Sequence, residues 1–254
     1  MIAQDTRLRL AGIGVLLPLI IAVILGDETA KIAIILICGL LIYELCLLLG
    51  KTSQQRLIIA LLICLAPAIY TVSDILLFGL VALGASGLFL SRLMSALSAC
   101  YAASVSLCIM AFVYVMGIGG MSTDLIALAC IIAAVDSGAY IVGRRFGGPK
   151  LAPRISPKKT ISGAVGGTLF GVSAGLILAL IFNTSLSFAL FLTLSVSVVS
   201  QIGDLVESAF KRHMNVKDSS NLIPGHGGFL DRFDGYIYVI PLLAVLHMVM
   251  GTRL

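Results

Sequence analysis

Long apolar runs alternate with short polar joints along this chain, and the runs are of bilayer length. A spanning helix needs roughly 20 mostly apolar residues. On that scale nine runs stand out: Leu10–Leu25, Ala30–Leu49, Leu57–Val72, Ile75–Leu90, Ser95–Val115, Leu125–Val142, Ile161–Phe182, Leu186–Ile202 and Gly235–Met250. The eighth carries a polar tail that can extend its helix to Phe210. The pattern predicts an all-α, polytopic integral membrane protein of about nine transmembrane helices, one membrane domain over residues 1–254. Residues 1–120 read as hydrophobic scaffold helices. Residues 125–250 read as catalytic helices and cytoplasmic loops, because polar side chains accumulate from Asp136 onward. The sequence shows no convincing internal repeat, which disfavours a transporter built from two inverted halves.

Composition agrees with the pattern. The chain is 59% hydrophobic and 11% charged, with a mean hydropathy of +1.12, whereas soluble domains are about 25% charged. Charge then sets an expected orientation, since cytoplasmic loops carry an excess of Lys and Arg. With the N-terminus inside and the C-terminus outside, all 17 cations except Lys31 and Arg253 fall on the cytoplasmic side. The two largest basic loops, after the sixth and eighth runs, share that face. The net charge of +5 is therefore a membrane-surface signal, with anionic lipid headgroups as its partner, and no nucleic-acid partner is expected. The expected location is the cell (inner) membrane. Two arginines before the first apolar run resemble a secretory leader, but no small-residue cleavage site follows, so an uncleaved first helix is expected.

Several features read as packing. The six cysteines, Cys38, Cys46, Cys64, Cys100, Cys108 and Cys130, lie in apolar runs without metal spacing and are expected to pack as small hydrophobes. Gly163, Gly167, Gly171 and Gly175 recur every four residues with Gly166 alongside, a seam that lets a neighbouring helix approach closely. Glu44, beside Tyr43, is expected to be an interfacial carboxylate at the inner end of the second run.

The densest polar segment runs from Ser208 to Asp234, SAFKRHMNVKDSSNLIPGHGGFLDRFD. Charge at a membrane edge is costly and is retained mostly for function. On a helix Asp204, Glu207 or Ser208, and Lys211 share one stripe, a way to hold a cation and a phosphate together. The Pro224–Gly228 turn can bring successive backbone amides to an anion. Asp231 and Asp234, three apart around Arg232, offer the hard oxygens that magnesium takes alongside substrate phosphates. In the second basic loop, Asp136, Tyr140, Gly143 and Arg144 share a helix face, with Asp136 expected to be buried, and Ser156, Lys158, Lys159 and Thr160 precede the glycine-rich run.

These residues carry a resemblance. The run SAFKR-x4-KDSS-x3-PGHGGFLDRFD, with ISPKKT and DSGAY-x-x-GR-x-FG upstream, resembles the signatures of phosphatidate cytidylyltransferases (CDP-diacylglycerol synthases), over roughly residues 130 to 250. The resemblance implies transfer of CMP from CTP to phosphatidate, giving CDP-diacylglycerol and pyrophosphate for phospholipid biosynthesis, with magnesium or another divalent cation. It implies Asp204, Asp231 and Lys211 as catalytic residues. Metal would be held by Asp204 and Asp231, with Asp136 and Asp234 as further candidates. Substrates would be bound by Ser156, Lys158, Lys159, Arg212, Lys217, Asp218, His226, Gly227, Gly228 and Arg232. Ser162 departs from the family, many members of which are acidic there. Expected partners are CTP, phosphatidate and membrane lipids, and a homodimer is compatible with the reading.

Two alternatives remain at this stage. Another CTP-using lipid enzyme, a polyprenol kinase or an ether-lipid cytidylyltransferase, would use the same metal and phosphate chemistry. An ion or metabolite transporter would line a pathway with Asp136, Asp204 and Asp231, but the loops expected outside are short and poor in charge. The pattern of a CDP-alcohol phosphotransferase, DG-x2-AR-x8-G-x3-D-x3-D, is absent.

Overall fold

Runs of Leu, Ile and Ala cannot leave backbone amides unpaired in hydrocarbon, so they form helices. A computed structural model describes residues 21–22, 24–50, 52–73, 76–116, 121–223 and 227–250. Among them the chain forms α1 (Asp27–Leu49), α2 (Ser53–Ser73), α3 (Leu76–Leu93), α4 (Ala96–Met116) and α5 (Met121–Phe146). A hairpin of β1 (Lys150–Ala152) and β2 (Ser156–Thr160) follows, then α6 (Ile161–Ile181), α7 (Leu186–His213), α8 (Leu230–Phe233) and α9 (Tyr236–Met250). The protein is a helical, multi-pass membrane protein.

The expected count of nine spans is corrected. Among the described residues five helices are long and apolar enough to cross a membrane: Glu28–Leu49, Ala96–Val115, Ser122–Phe146, Ile161–Ile181 and Leu186–His213. The third, fourth and ninth runs yield shorter apolar helical stretches, Ser53–Leu65, Gly79–Leu93 and Tyr236–Val249. For the ninth run the reason is the length of the helix itself. A 15-residue helix such as α9 rises only about 22 Å, against a hydrocarbon core of about 30 Å. The first run, Leu10–Leu25, and the reading of an uncleaved first helix fall largely outside the described residues, and the N-in, C-out assignment rested on the nine-span count.

The two halves pack differently. α1, α2, α4 and the start of α5 interlock through large side chains, with Ile34, Leu41, Leu45, Ile63, Tyr101 and Leu128 fully buried. Tyr101 stacks on Phe210 of α7 at 4.2 Å between ring centroids. α6 instead packs through its glycines, as expected. Gly163 and Gly167 face the backbone carbonyls of Ala139 and Val135 on α5, and Gly171 and Gly175 face Ser197 and Thr193 on α7. A Cβ at Gly167 would lie 2.8 Å from the Val135 oxygen, so α6 is wedged between two neighbours. α7 is 28 residues long and joins both halves.

The loop expected between the sixth and seventh runs is an antiparallel hairpin, pairing Lys150 with Thr160 and Ala152 with Ser156. Gly147 and Gly148, both at positive φ, turn the chain into it. Thr160 ends it and caps α6, its hydroxyl accepting from the Gly163 amide at 3.1 Å. Ser162 donates to the Gly147 carbonyl and pairs with the Thr160 hydroxyl at 3.1 Å. The serine that departs from the family pattern thus closes the hairpin base, a bond that a carboxylate could not donate.

Candidate active site

The hairpin, α5, α6 and α7 enclose a cavity of about 590 Å³, within the range of small-molecule sites. Asp136 and Asp204 line it from α5 and α7, Lys158 and Lys159 from β2, and Tyr140, Arg144, Thr160 and Gln201 complete the polar wall. Lys159 forms an ion pair with Asp204, and Ser208 reaches Asp204 at 3.5 Å. Arg144 donates to the Tyr140 hydroxyl at 2.7 Å, its guanidinium 5.9 Å from the ring centroid. Asp136 is not buried as expected: it is exposed, and the cavity is what it faces. The stripe predicted on α7 divides, because Asp204 turns to Lys159 while Lys211 turns the other way.

Lys211 belongs to a second, buried network that does not line the cavity. Its ammonium lies 2.7 Å from Asp231 Oδ1 and 3.1 Å from Glu207 Oε1. The Glu207 contact is an ion pair alone, since neither of its buried oxygens has hydrogen-bond geometry to a partner. Asp231 also accepts from the Ser219 amide at 2.9 Å and the Gly228 amide at 2.8 Å. Burial alone would raise the Asp231 carboxyl, but the Lys211 ammonium and these two amides outweigh it and hold it below the usual range. With both oxygens engaged, Asp231 serves as the ion partner of Lys211 and the brace of the turn. Asp234 stands between the clusters. Its backbone packs on Gly203, and its carboxyl is pushed up to about 7 by burial first, then by the charges of Asp204 and Asp136.

Of the glycine-rich turn, Gly227 and Gly228 are among the described residues and residues 224–226 are not. The amides of Gly228, Phe229 and Leu230 do not point at an open anion site. The first goes to Asp231, and the others go to Glu44 at 2.7 Å each. Glu44 is therefore no interfacial carboxylate: it is fully buried and also accepts from Ser219 Oγ at 2.9 Å and Ser220 Oγ at 2.5 Å. Gly227, at φ +84, gives the turn the left-handed residue it needs. His226 lies outside the described residues.

The remaining candidates spread around these two clusters. Arg212 reaches the carbonyls of Ile155 at 3.4 Å and Val216 at 3.3 Å, tying the hairpin tip to the end of α7. Lys217, Asp218 and Arg232 are exposed, and Ser156 is half-buried in the hairpin. Sequence reasoning missed Gln201 as a lining residue, although a glutamine three positions before Asp204 in an apolar run was the available signal. It missed Glu44 as a loop partner because no local pattern links residues 44 and 219.

Asp136 and Asp204 bring the hard oxygens that divalent cations take to the cavity that Lys158 and Lys159 also line, while among the described residues no three metal-ligating side chains are gathered into one group. The arrangement can gather phosphate charge at the edge of an apolar helix bundle.

A cytidylyltransferase family model matches residues 5–250. A phosphatidate cytidylyltransferase of Bacillus subtilis (strain 168) is 43% identical over 149 residues, 56% of this chain and 54% of that protein. Those of Staphylococcus saprophyticus and Staphylococcus aureus (strain COL) are each 48% identical, over 118 and 122 residues, 46% of this chain and 45% of each relative. The chain spans about half the length of the curated relatives it matches.

Proposed function

Because the chain belongs to the cytidylyltransferase family, we propose that it transfers the CMP unit of CTP to the phosphate of phosphatidate. An oxygen of the phosphatidate phosphate attacks the α-phosphorus of CTP, the bond from that phosphorus to the bridging oxygen breaks, and pyrophosphate leaves with the bond's electron pair. The observation that carries this reading is the cavity that gathers Asp136, Asp204, Lys158 and Lys159 beside apolar helices. The similarity to phosphatidate cytidylyltransferases supports it.

The nucleophile is already an anion, so no general base is required. The demand is to bring two anions together and to stabilise the leaving group. Lys158 and Lys159 neutralise the triphosphate from the hairpin. Asp204, with Asp136 and Asp234, would hold a divalent cation, which when bound supplies charge neutralisation and polarises phosphoryl oxygens. In that state Lys159 exchanges Asp204 for phosphate. Lys211, held by Asp231, supplies positive potential from the buried side, while Lys217 and Arg232 attract anions to the entrance. We place the site on the cytoplasmic face, supported by the density of Lys and Arg in the hairpin and after α7.

Purified protein incubated with magnesium, phosphatidate and CTP labelled at the α-phosphate should yield labelled lipid and one pyrophosphate per lipid formed. Unlabelled lipid together with CDP would instead identify a CTP-dependent kinase and overturn the proposal.

A further inference from the structure

One side chain of the scaffold half, Glu44, makes four hydrogen bonds to the loop of the catalytic half. Glu44 sits on α1 with no exposed surface, and its partners lie 175 to 186 residues away in sequence. Its Oε1 accepts from Ser220 Oγ at 2.5 Å and Phe229 N at 2.7 Å. Its Oε2 accepts from Ser219 Oγ at 2.9 Å and Leu230 N at 2.7 Å. A carboxylate has about four lone-pair sites, and all are used here, two on each side of the turn. Gly228 lies against this carboxylate: a Cβ there would stand 2.7 Å from Glu44 Oε2.

The two ends that Glu44 ties are those that orient Lys211. Ser219, bound to Glu44 through its hydroxyl, gives its amide to Asp231. Leu230, bound to Glu44 through its amide, immediately precedes Asp231. Asp231 in turn grips the Lys211 ammonium. We propose that Glu44 is a positioning residue: it sets the place of the Asp231–Lys211 pair by fixing both ends of the turn, and it touches no substrate. The catalytic part of this inference rests on the cytidylyl-transfer reading; the anchoring part does not.

The chemistry predicts an unusual sensitivity. Glutamine has the size of glutamate, but its amide NH2 would face two donors that need an acceptor. A buried donor left without a partner is costly, so Glu44→Gln should lower kcat roughly tenfold to a hundredfold with a smaller change in KM for CTP. Ser220→Ala removes one of the four bonds and serves as the milder variant, with a loss of roughly threefold to tenfold.

The test combines a double-mutant cycle with hydrogen exchange. In a Lys211→Ala background, Glu44→Gln and Ser220→Ala should add little further loss of kcat, because the group they position is gone. Full additivity would mean that Glu44 acts on folding alone and would overturn the positioning role. Exchange at the Phe229 and Leu230 amides should accelerate in Glu44→Gln, and in Ser220→Ala if the glutamine variant fails to fold. Unchanged exchange would overturn the anchor. If the unaltered protein makes no labelled lipid from CTP and phosphatidate, the cytidylyl-transfer reading falls and the positioning role falls with it, while the exchange result still decides the anchor.

Discussion

The two halves of this protein solve helix packing in opposite ways. In α1 to α4 the helices are held apart and interlocked by Ile, Leu and Tyr side chains. Between α5 and α6 glycines bring backbone against backbone, and toward α7 they leave room for the Ser197 and Thr193 side chains. Lipid is as apolar as leucine, so helices in a membrane gain mainly from close contact. A glycine seam achieves that contact and fixes the separation between helices more narrowly than flexible side chains do. The difference places rigidity where α5 and α7 must hold Asp136 and Asp204 at one cavity, and bulk where shape alone is needed.

The sharpest test removes the chemistry without touching either packing mode. Asp204→Asn should lower turnover by roughly 10²–10³-fold, the range seen when one electrostatic contributor is lost. Thermal stability should hardly change, because Asp204 is partly exposed and its partners among the described residues are Lys159 and Ser208. Turnover near normal across a magnesium titration would break the assignment.

The next tests set one half against the other. Gly171→Leu forces a side chain between α6 and the Ser197 and Val135 side chains, and overpacking of this kind costs about 1–3 kcal/mol. Folded yield and melting temperature should fall first. Activity should follow as α6 shifts the hairpin that leads into it. A Gly171→Leu protein of unchanged stability would end the seam account. Leu41→Ala, in the fully buried scaffold core, should cost about 2 kcal/mol, the low end for such truncations because exposed apolar surface meets lipid and not water. Its activity at low temperature should stay near normal. A larger activity loss from Leu41→Ala than from Gly171→Leu would reverse the comparison.

What the sequence disclosed follows from how local each signal is. The glycine seam was legible because a four-residue spacing belongs to one helix. Asp136, Asp204, Lys158 and Lys159 were legible because charge in apolar surroundings stands out, and the structure brings all four to one cavity. The span count was misread at Gly235–Met250, where a window of 16 residues was accepted although its helix of 15 is short of what a bilayer requires. The role of Glu44 was misread because its donors lie 175 to 186 residues away. A lone glutamate after a tyrosine gives no sign that four donors will converge on it.

The length of α7 sets a depth gauge. Its 28 residues rise about 42 Å, against a hydrocarbon layer of about 30 Å. Counted from Leu186, Asp204 stands about 27 Å along the axis and Lys211 about 38 Å. Upright, the helix leaves its aspartate at the hydrocarbon boundary and its lysine among the headgroups, and tilting lowers both together. The vertical spacing between carboxylate and ammonium is thus written into one rigid rod. On the proposed reaction, a phosphate carried by a membrane lipid would meet that rod at the height where its own headgroup already lies.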